Sequence, residues 1–364
     1  MRKKFYSLKK ILSKNAYYNI IIGERSNGKT YSCLKYGLEQ YVKTGKQMAI
    51  LRRWDTDFIG KRGAVMFDAL INNGEISNLT GGMWTEVHYF ASKWYLATRD
   101  PDDGQRIVDE KPFAYGFAIS QMEHDKSTAY PNVTTIIFDE FISRTQYLND
   151  EFKLFVNVLS TIIRHRNDVK IFMLGNTVNK YCPYFNEMGL KHIKQQEQGT
   201  IDLYRFGDKG LTVAVEYCSP MDKEGKDSDV YFSFDNPKLQ MITGGVWEIE
   251  VYPHCPCKYR PKDILFTYFI EFDEDLLQCE VISIDNNFFT FIHRKSTEIK
   301  NMDKDLIYST EYDPRPNHRR NITRPTDAID KKIAEFFKKD KVFYQDNEVG
   351  EIVRNYLIWC GKKV

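Results

Sequence analysis

The chain has 364 residues, more than one hydrophobic core usually serves, so two domains joined by a linker are expected. Its 52 Lys and Arg against 50 Asp and Glu leave a formal charge of +2, which excludes a global basic field and confines any nucleic-acid contact to a local patch. Seven cysteines without regular spacing, no apolar leader after Arg2-Lys3-Lys4 and no apolar run of about 18 residues point to a reducing cytoplasm, away from secretion or a membrane span.

The first apolar run, Asn19 to Ile22, reads as a buried strand and leads into Gly23-Glu24-Arg25-Ser26-Asn27-Gly28-Lys29-Thr30. A helical stretch begins at Thr30, so this is the P-loop pattern in the strand, turn and helix setting that it requires. Glycines at both ends let backbone N–H groups close around phosphate oxygens, with the helix N-terminus facing the anion. The expected nucleotide-binding set for ATP is Gly23, Glu24, Arg25, Ser26, Asn27, Gly28, Lys29, Thr30 and Tyr31. Within it, Lys29 neutralises the β and γ oxygens and Thr30 ligates Mg²⁺ through its hydroxyl.

Met48 to Arg52 is a second strand, and between Tyr89 and Ser120 two aromatic-rich runs flank a polar stretch with Pro101-Asp102-Asp103-Gly104, a hairpin set into the frame. Thr134 to Phe138 is a β-branched strand ending in Asp139-Glu140, as a Walker B strand does. Asp139 belongs in the Mg²⁺ shell, and Glu140 is the general base for the attacking water. The strand Lys170 to Leu174 ends in Gly175-Asn176-Thr177, which sets Asn176 to sense the γ-phosphate or the lytic water, although Asn is equally at home in a plain turn. Hydrolysis also needs positive charge on the transferring phosphoryl group. Arg25 could supply it within one chain. Arg164 and Arg166, in Ile163-Arg164-His165-Arg166 at a helix end, could reach a neighbouring subunit or simply favour the helix C-terminus. Strands alternating with helical stretches make this an α/β domain on a parallel sheet.

After Leu190 the texture changes. Gln195-Gln196-Glu197-Gln198-Gly199 and the Asp-, Lys- and Gly-rich stretch from Met221 to Asp229 read as linker, which gives an ATPase domain over 1–198, a linker over 199–229 and a second domain over 230–364. In the second domain Val246 to Val251, Leu265 to Glu271, Glu280 to Ile284 and Phe288 to His293 read as short strands. Helical stretches from Thr326 and Asp346 close a small α+β unit. His254-Cys255-Pro256-Cys257 lacks the second pair that a structural zinc site needs, so free thiols in a loop are expected. The basic stretches Arg2 to Lys14, Arg315 to Arg324 and Lys331 to Lys341 could touch phosphates or be solvated faces.

Several of these segments, in this order, closely resemble the DNA-packaging (encapsidation) ATPases of small short-tailed phages of the Salasmaviridae type. They are the P-loop, Leu51-Arg52-Arg53-Trp54, Lys126-Ser127-Thr128-Ala129-Tyr130-Pro131-Asn132-Val133, the strand into Asp139-Glu140-Phe141, Ile163 to Arg166 and Gly175-Asn176. The likeness is strong over about 5–190 and weaker at Thr243-Gly244-Gly245-Val246-Trp247 and Phe343 to Leu357. The resemblance implies a P-loop NTPase of the ASCE type followed by a ribonuclease-H-like domain that has lost its cutting activity. It implies a pentameric ring at the portal, or connector, vertex of an empty prohead, where ATP drives double-stranded DNA inside. The work would be done in the host cytoplasm, with the motor absent from the mature virion. A packaging RNA serves some members and is left open here. Arg164 would act as a finger in trans, Lys126 would reach the neighbouring nucleotide, and Arg52-Arg53 would lie near the nucleotide or the ring interface, with ordinary salt bridges the competing reading for Lys126 and the Arg pair. DNA cleavage is not expected, although Asp235, Asp273, Glu274, Asp275 and Asp285 supply carboxylates of the kind a two-metal nuclease gathers.

Two other readings stay open at this stage. A helicase would prefer single strands and stacking platforms. A nucleotide-gated assembly factor would hydrolyse ATP slowly and respond little to DNA.

Overall fold

The computed structural model describes residues 6–124, 128–144, 147–208, 210–220 and 246–361. It divides into two units, Met1–Glu248 and Ile249–Val364.

The first unit is built on strands β1 (Tyr18–Gly23), β2 (Gln47–Arg52), β3 (Glu86–Phe90), β4 (Lys93–Arg99), β5 (Arg106–Val108), β6 (Ala114–Ala118), β7 (Val133–Asp139), β8 (Lys170–Asn176), β9 (Ile201–Phe206) and β10 (Leu211–Tyr217). Its helices are α1 (Lys9–Leu12), α2 (Lys29–Thr44), α3 (Lys61–Ala64), α4 (Asp68–Asn72), α5 (Glu75–Leu79), α6 (Glu151–Ile163) and α7 (Pro183–Glu187). The sheet order is β3-β4-β6-β2-β7-β8-β1-β10-β9, with β5 on β4. The run from β6 to β10 is parallel, and β3, β4, β5 and β9 join antiparallel. Strand β8 lies between the P-loop strand β1 and the acid-bearing strand β7. That inserted strand is the mark of the ASCE arrangement expected from the resemblance.

Alternation along the strands explains the two layers. Ile20, Ile22, Leu51, Ile136, Phe138 and Met173 face one core, which α6 covers with Phe155, Val158, Leu159 and Ile162. Those four recur at the i, i+3, i+4, i+7 spacing of one helix face. Ile21, Met48, Ile50, Ile137, Phe172 and Leu174 face the other core, covered by Cys33, Leu34 and Leu38 of α2. Strands buried on both faces read as continuous apolar runs, which is why they stand out in the sequence.

The domain boundary needs correction. Much of the expected 199–229 linker is sheet: β10 pairs with β1 and β9 with β10, so the first unit does not end at 198. Trp247 packs on Phe185 and Tyr217 of the same unit. The remainder of that linker, 221–229, lies outside the described residues, as do Thr243-Gly244-Gly245 and Asp235.

The second unit carries β11 (Ile264–Phe272), β12 (Asp275–Ile284), β13 (Asn287–Arg294), β14 (Ile307–Ser309), β15 (His318–Arg319) and β16 (Val342–Tyr344), with helices α8 (Ala328–Lys338) and α9 (Asn347–Gly361). Val246 to Val251, expected as a strand, forms none. The order is β15-β14-β11-β12-β13-β16. Strands β11, β12 and β13 form an antiparallel meander, β14 runs parallel to β11 and β15 parallel to β14. This is the strand order and direction of a ribonuclease-H-type sheet, extended here by β16 beside β13.

Candidate active site

The P-loop turns through two left-handed residues, Ser26 at φ 61° and Gly28 at φ 93°. Gly28 caps the N-terminus of α2 and, lacking a Cβ, takes this conformation without strain. The turn aims the helix N-terminus into a cavity of about 450 Å³. Its walls are residues 25–31 of the loop and helix, Asp139 and Glu140 from the end of β7, and Leu174, Gly175 and Asn176 from the end of β8. The parallel order β7-β8-β1 brings these three strand ends to one edge of the sheet, so residues about 110 positions apart in the chain meet.

Thr30 Oγ1 donates to Asp139 Oδ1 at 3.0 Å. Lys29 Nζ donates to the carbonyl oxygens of Gly23 (3.3 Å) and Glu24 (2.6 Å), to Asn27 Oδ1 (3.2 Å) and to Asn176 Oδ1 (3.3 Å). Burial holds the Lys29 ammonium below its usual pKa, and a charged ligand oxygen placed against it would oppose that shift. Burial also raises Asp139 above the usual carboxylate range, and the Arg52 guanidinium opposes that shift. Glu140 differs. Its side chain is 63% exposed and its backbone takes φ 60°, so its carboxylate stands at the mouth of the cavity. Tyr31 reaches Glu75 Oε1 at 2.8 Å. Gly23 and Glu24 contribute backbone carbonyls to Lys29 and are not part of the cavity wall.

The two arginines at the end of β2 part company. Arg52 bridges the acids, with Nη2 to Asp139 Oδ2 at 2.6 Å and Nη1 to Glu140 Oε2 at 2.8 Å. Arg53, expected at the nucleotide, turns away from it and pairs with buried Glu151 through Nε (2.7 Å) and Nη2 (2.8 Å). Both partners are under a tenth exposed, and a buried guanidinium without such a carboxylate would be costly. For Arg53 the salt-bridge reading replaces the ligand reading. Sequence gave no sign of the partner, because Glu151 sits on another element 98 residues further on.

Arg25 lies on the cavity wall and is exposed. Arg164 does not reach it. Helix α6 starts beside the end of β7 and runs back for 13 residues, about 20 Å, before Arg164. Since β8 then returns parallel to β7, Arg164 stands at the opposite edge of the sheet from its own cavity. There it is exposed, at φ 53°, and its Nη2 donates to the Thr128 carbonyl at 3.4 Å. Arg166 is tied to the carbonyls of Tyr130, Val133 and Ile162. Lys126 lies outside the described residues.

A contact not foreseen braces the loop. Tyr6 N–H donates to the Asn27 carbonyl at 3.0 Å, Ser32 Oγ donates to the Tyr6 carbonyl at 2.7 Å, and Tyr6 hydroxyl reaches Glu216 on β10 at 2.6 Å.

In the second unit the described acids among those named from the sequence do not converge. Asp273, Glu274 and Asp275 sit at one end of the ten-residue β12 and Asp285 follows its other end, roughly 30 Å away. Among the described residues no three His, Cys, Asp or Glu side chains are grouped to hold a metal ion. Cys255 Sγ donates to the Cys257 carbonyl and His254 Nε2 meets Asn347 Oδ1. No helix among the described residues is long and apolar enough to cross a membrane.

Comparison with known proteins adds kinship to this geometry. Residues 1–80 and 102–196 match the family model for podovirus DNA encapsidation protein (Gp16). The DNA packaging protein of Bacillus phage phi29 is 30% identical over 190 residues, which are 50% of this chain and 49% of that protein. The chain thus matches about half the length of such curated relatives. Among solved structures, the bacteriophage Phi-29 viral genome packaging motor assembly superposes with a TM-score of 0.58 at 19% identity, covering 98% of this chain and 99% of that one. The Phi-28 gp11 DNA packaging motor gives 0.55 at 18% identity, covering 99% of each. At those identities the superpositions speak for the fold alone, over both units. The P-loop, the paired acids and Asn176 therefore sit in a sequence with named kin, and over residues 1–80 and 102–196 the chain matches the podovirus DNA encapsidation (Gp16) family.

Proposed function

We propose that this chain is the ATPase of a viral DNA-packaging motor, hydrolysing ATP with Mg²⁺ to drive double-stranded DNA into an empty prohead. The carrying observation is the meeting of Thr30 and Asp139 across 3.0 Å, on the wall that Glu140 and Asn176 share with the P-loop. A hydroxyl and a carboxylate side by side form the hard-oxygen donor set that suits Mg²⁺. Lys29, now satisfied by four oxygens, can exchange them for phosphate oxygens. The donors present therefore fit nucleotide and metal.

In this reading the backbone N–H groups of residues 25–30 hold the β-phosphate and Lys29 neutralises the β and γ oxygens. Thr30 and Asp139 would hold Mg²⁺, which supplies charge neutralisation on the phosphoryl oxygens. Glu140, exposed at the cavity mouth, orients the attacking water and takes its proton, and Asn176 fixes the γ end. Arg52 must let go of Asp139 and Glu140 before either acts. Arg164, at the far edge of the sheet, is suited to a neighbour's cavity, which fits a ring of five copies and a finger in trans. Arg25 is the cis alternative. Double-stranded DNA, the portal vertex of the prohead and, in some settings, a packaging RNA are the partners, met in the host cytoplasm. Grip on phosphates makes translocation indifferent to sequence and sensitive to salt.

ATP turnover measured alone, with single-stranded DNA and with duplex, beside Lys29→Ala, Glu140→Gln and Arg164→Ala, tests this. Duplex stimulation lost in all three variants supports the motor. Preference for single strands would favour a helicase, and turnover indifferent to DNA even with the portal present would favour a gated assembly factor.

A further inference from the structure

The buried pair Arg53 and Glu151 does more than satisfy two charges. Arg53 Nη2 donates to the Phe141 carbonyl at 2.8 Å and Nη1 to the Glu140 carbonyl at 3.4 Å, so one guanidinium holds the backbone of the left-handed turn that presents Glu140. Its plane lies over the Tyr147 ring at 5.0 Å. Glu151 is the first residue of α6, where a carboxylate is favoured by the helix N-terminus. It also accepts from Tyr184 hydroxyl at 2.9 Å and from the Leu148 N–H at 2.7 Å. The main-chain carbonyl of Arg53 accepts from Ser120 N–H at 3.2 Å, on the segment that leads in sequence towards Lys126. A single buried hub thus joins the end of β2, the turn carrying Glu140, the start of α6 and the segment after β6. The far end of α6 carries Arg164.

We infer that Arg53 and Glu151 are positioning residues that make the Glu140 turn and α6 one rigid body, so that engagement of Arg164 by a neighbouring nucleotide is transmitted to Glu140 of the same subunit. The inference rests on the ATPase reading above. A rigid link is what the chemistry provides: a bidentate guanidinium and carboxylate with every oxygen of Glu151 occupied leaves little rotational freedom. Displacement of α6 by even a fraction of a turn must then carry the carbonyls of Glu140 and Phe141 with it. The coupling would link successive sites in a ring, each cavity sensing the next through one helix.

Arg53→Lys and Glu151→Gln test it in the full-length protein. Lysine keeps the charge but offers a single point donor in place of the fork, and glutamine keeps the shape of Glu151 without its charge. The measurements are the affinity for a fluorescent ATP analogue with Mg²⁺, kcat and KM for ATP on assembled motors, and the fall in turnover as Arg164→Ala subunits are doped into the ring. Loose positioning of Glu140 predicts kcat down roughly 10- to 100-fold. Nucleotide affinity should stay within about twofold, and a tenfold loss of kcat corresponds to about 1.4 kcal/mol of barrier. It also predicts that the residual turnover responds less than wild type to doping with Arg164→Ala. Unchanged kcat in both variants would overturn the inference while leaving the ATPase reading intact. So would a parallel fall of affinity and kcat with wild-type sensitivity to doping, the signature of general damage. Absence of turnover in wild-type motors would remove the ATPase reading and the inference together. Should Glu151→Gln fail to fold, Arg53→Lys gives the same split.

Discussion

Adding one methyl group at Gly175 should unsettle the site without touching any polar group in it. A Cβ there would lie 2.5 Å from Ile142 Cδ1, 2.7 Å from Ile142 Cγ1 and 3.0 Å from Phe141 Cε1. Ordinary carbon contacts lie near 3.5–4.0 Å, so the segment 141–142 must retreat by roughly 1 Å. It has little room: Phe141 is 0% and Ile142 6% exposed, packed in the core that α6 covers. Overpacking of this kind costs about 1–3 kcal/mol. In a unit of this size each kcal/mol moves the midpoint by about 2–4 °C, so Gly175→Ala should lower the Tm of the first unit by roughly 2–12 °C. Because Phe141 follows Glu140 directly, the same displacement reaches the proposed base, and misplacement by ~1 Å can cost on the order of 100-fold in rate. Calorimetry and steady-state ATP turnover read the two effects. Ile142→Ala removes both offending carbons, so the double variant should lose less than the sum of the singles. A Gly175→Ala protein with wild-type Tm and wild-type turnover would refute the argument, because Ile142 would then be free to move.

Two further outcomes follow from charge. Arg52→Gln frees Asp139 and Glu140 from a guanidinium bridge of 2.6 and 2.8 Å. Even heavily discounted for partial exposure, a charge-assisted pair worth about 1.5–3 kcal/mol should lower the Mg²⁺ needed for half-maximal nucleotide binding about tenfold; calorimetric titration showing the wild-type Mg²⁺ requirement would contradict this. In the second unit, His293 Nε2 lies 3.5 Å from Glu280 Oε1. Their hydrogen bond is the main cause of two shifts: Glu280 is lowered to about 2 and His293 is raised above its usual value. The carboxylate's contribution is present above about 4.3 and lost as pH falls towards 2, while the imidazolium's is full below about 6.5 and fades as pH rises through its elevated value. Stability of that unit should therefore peak between about pH 4.3 and 6.5, and His293→Asn should flatten the peak in Tm measured against pH; an identical profile in the variant would exclude the pair as its source.

What could be read from sequence divides along local and non-local lines. The P-loop is one contiguous turn, and β7 and β8 are β-branched runs ending in Asp139-Glu140 and Gly175-Asn176, so their chemistry is written within a few residues. Burial on both faces made those strands conspicuous. Strand β10 is as apolar, with Val213, Ala214 and Val215 buried. It is framed, however, by the Gln-rich 195–199 and the polar 221–229, and its partner β9 exposes Leu203 at 46%, so the pair reads as linker. The bent role of Arg53 was illegible for a different reason. Two adjacent arginines at a strand end point to opposite faces, and only the fold says that one meets Asp139 and the other Glu151. The brace from Tyr6 to Asn27 likewise continues to Glu216, a contact across 210 residues that no spacing announces.

The topology also bears on why a ring would be needed. The residues proposed to hold phosphate and water stand at the C-terminal ends of β1, β7 and β8, while the finger candidate Arg164 stands at their other ends, a helix length away. Rotation of a side chain cannot close about 20 Å, since an arginine reaches only a fraction of that. On the function proposed above, one chain would present a base, a phosphate cradle and metal ligands on one edge, and a cation for a neighbour's phosphate on the other. Two such copies set edge to edge would complete one cavity and leave another open, so the arrangement would repeat until it closed on itself, as heterologous contacts do in cyclic assemblies. Arg25 is the one cation in the described cavity wall, besides Lys29, that could relieve this incompleteness within a single chain. Retention of duplex-stimulated turnover by Arg164→Ala would therefore shift the finger to Arg25 and take away the chemical reason for the ring.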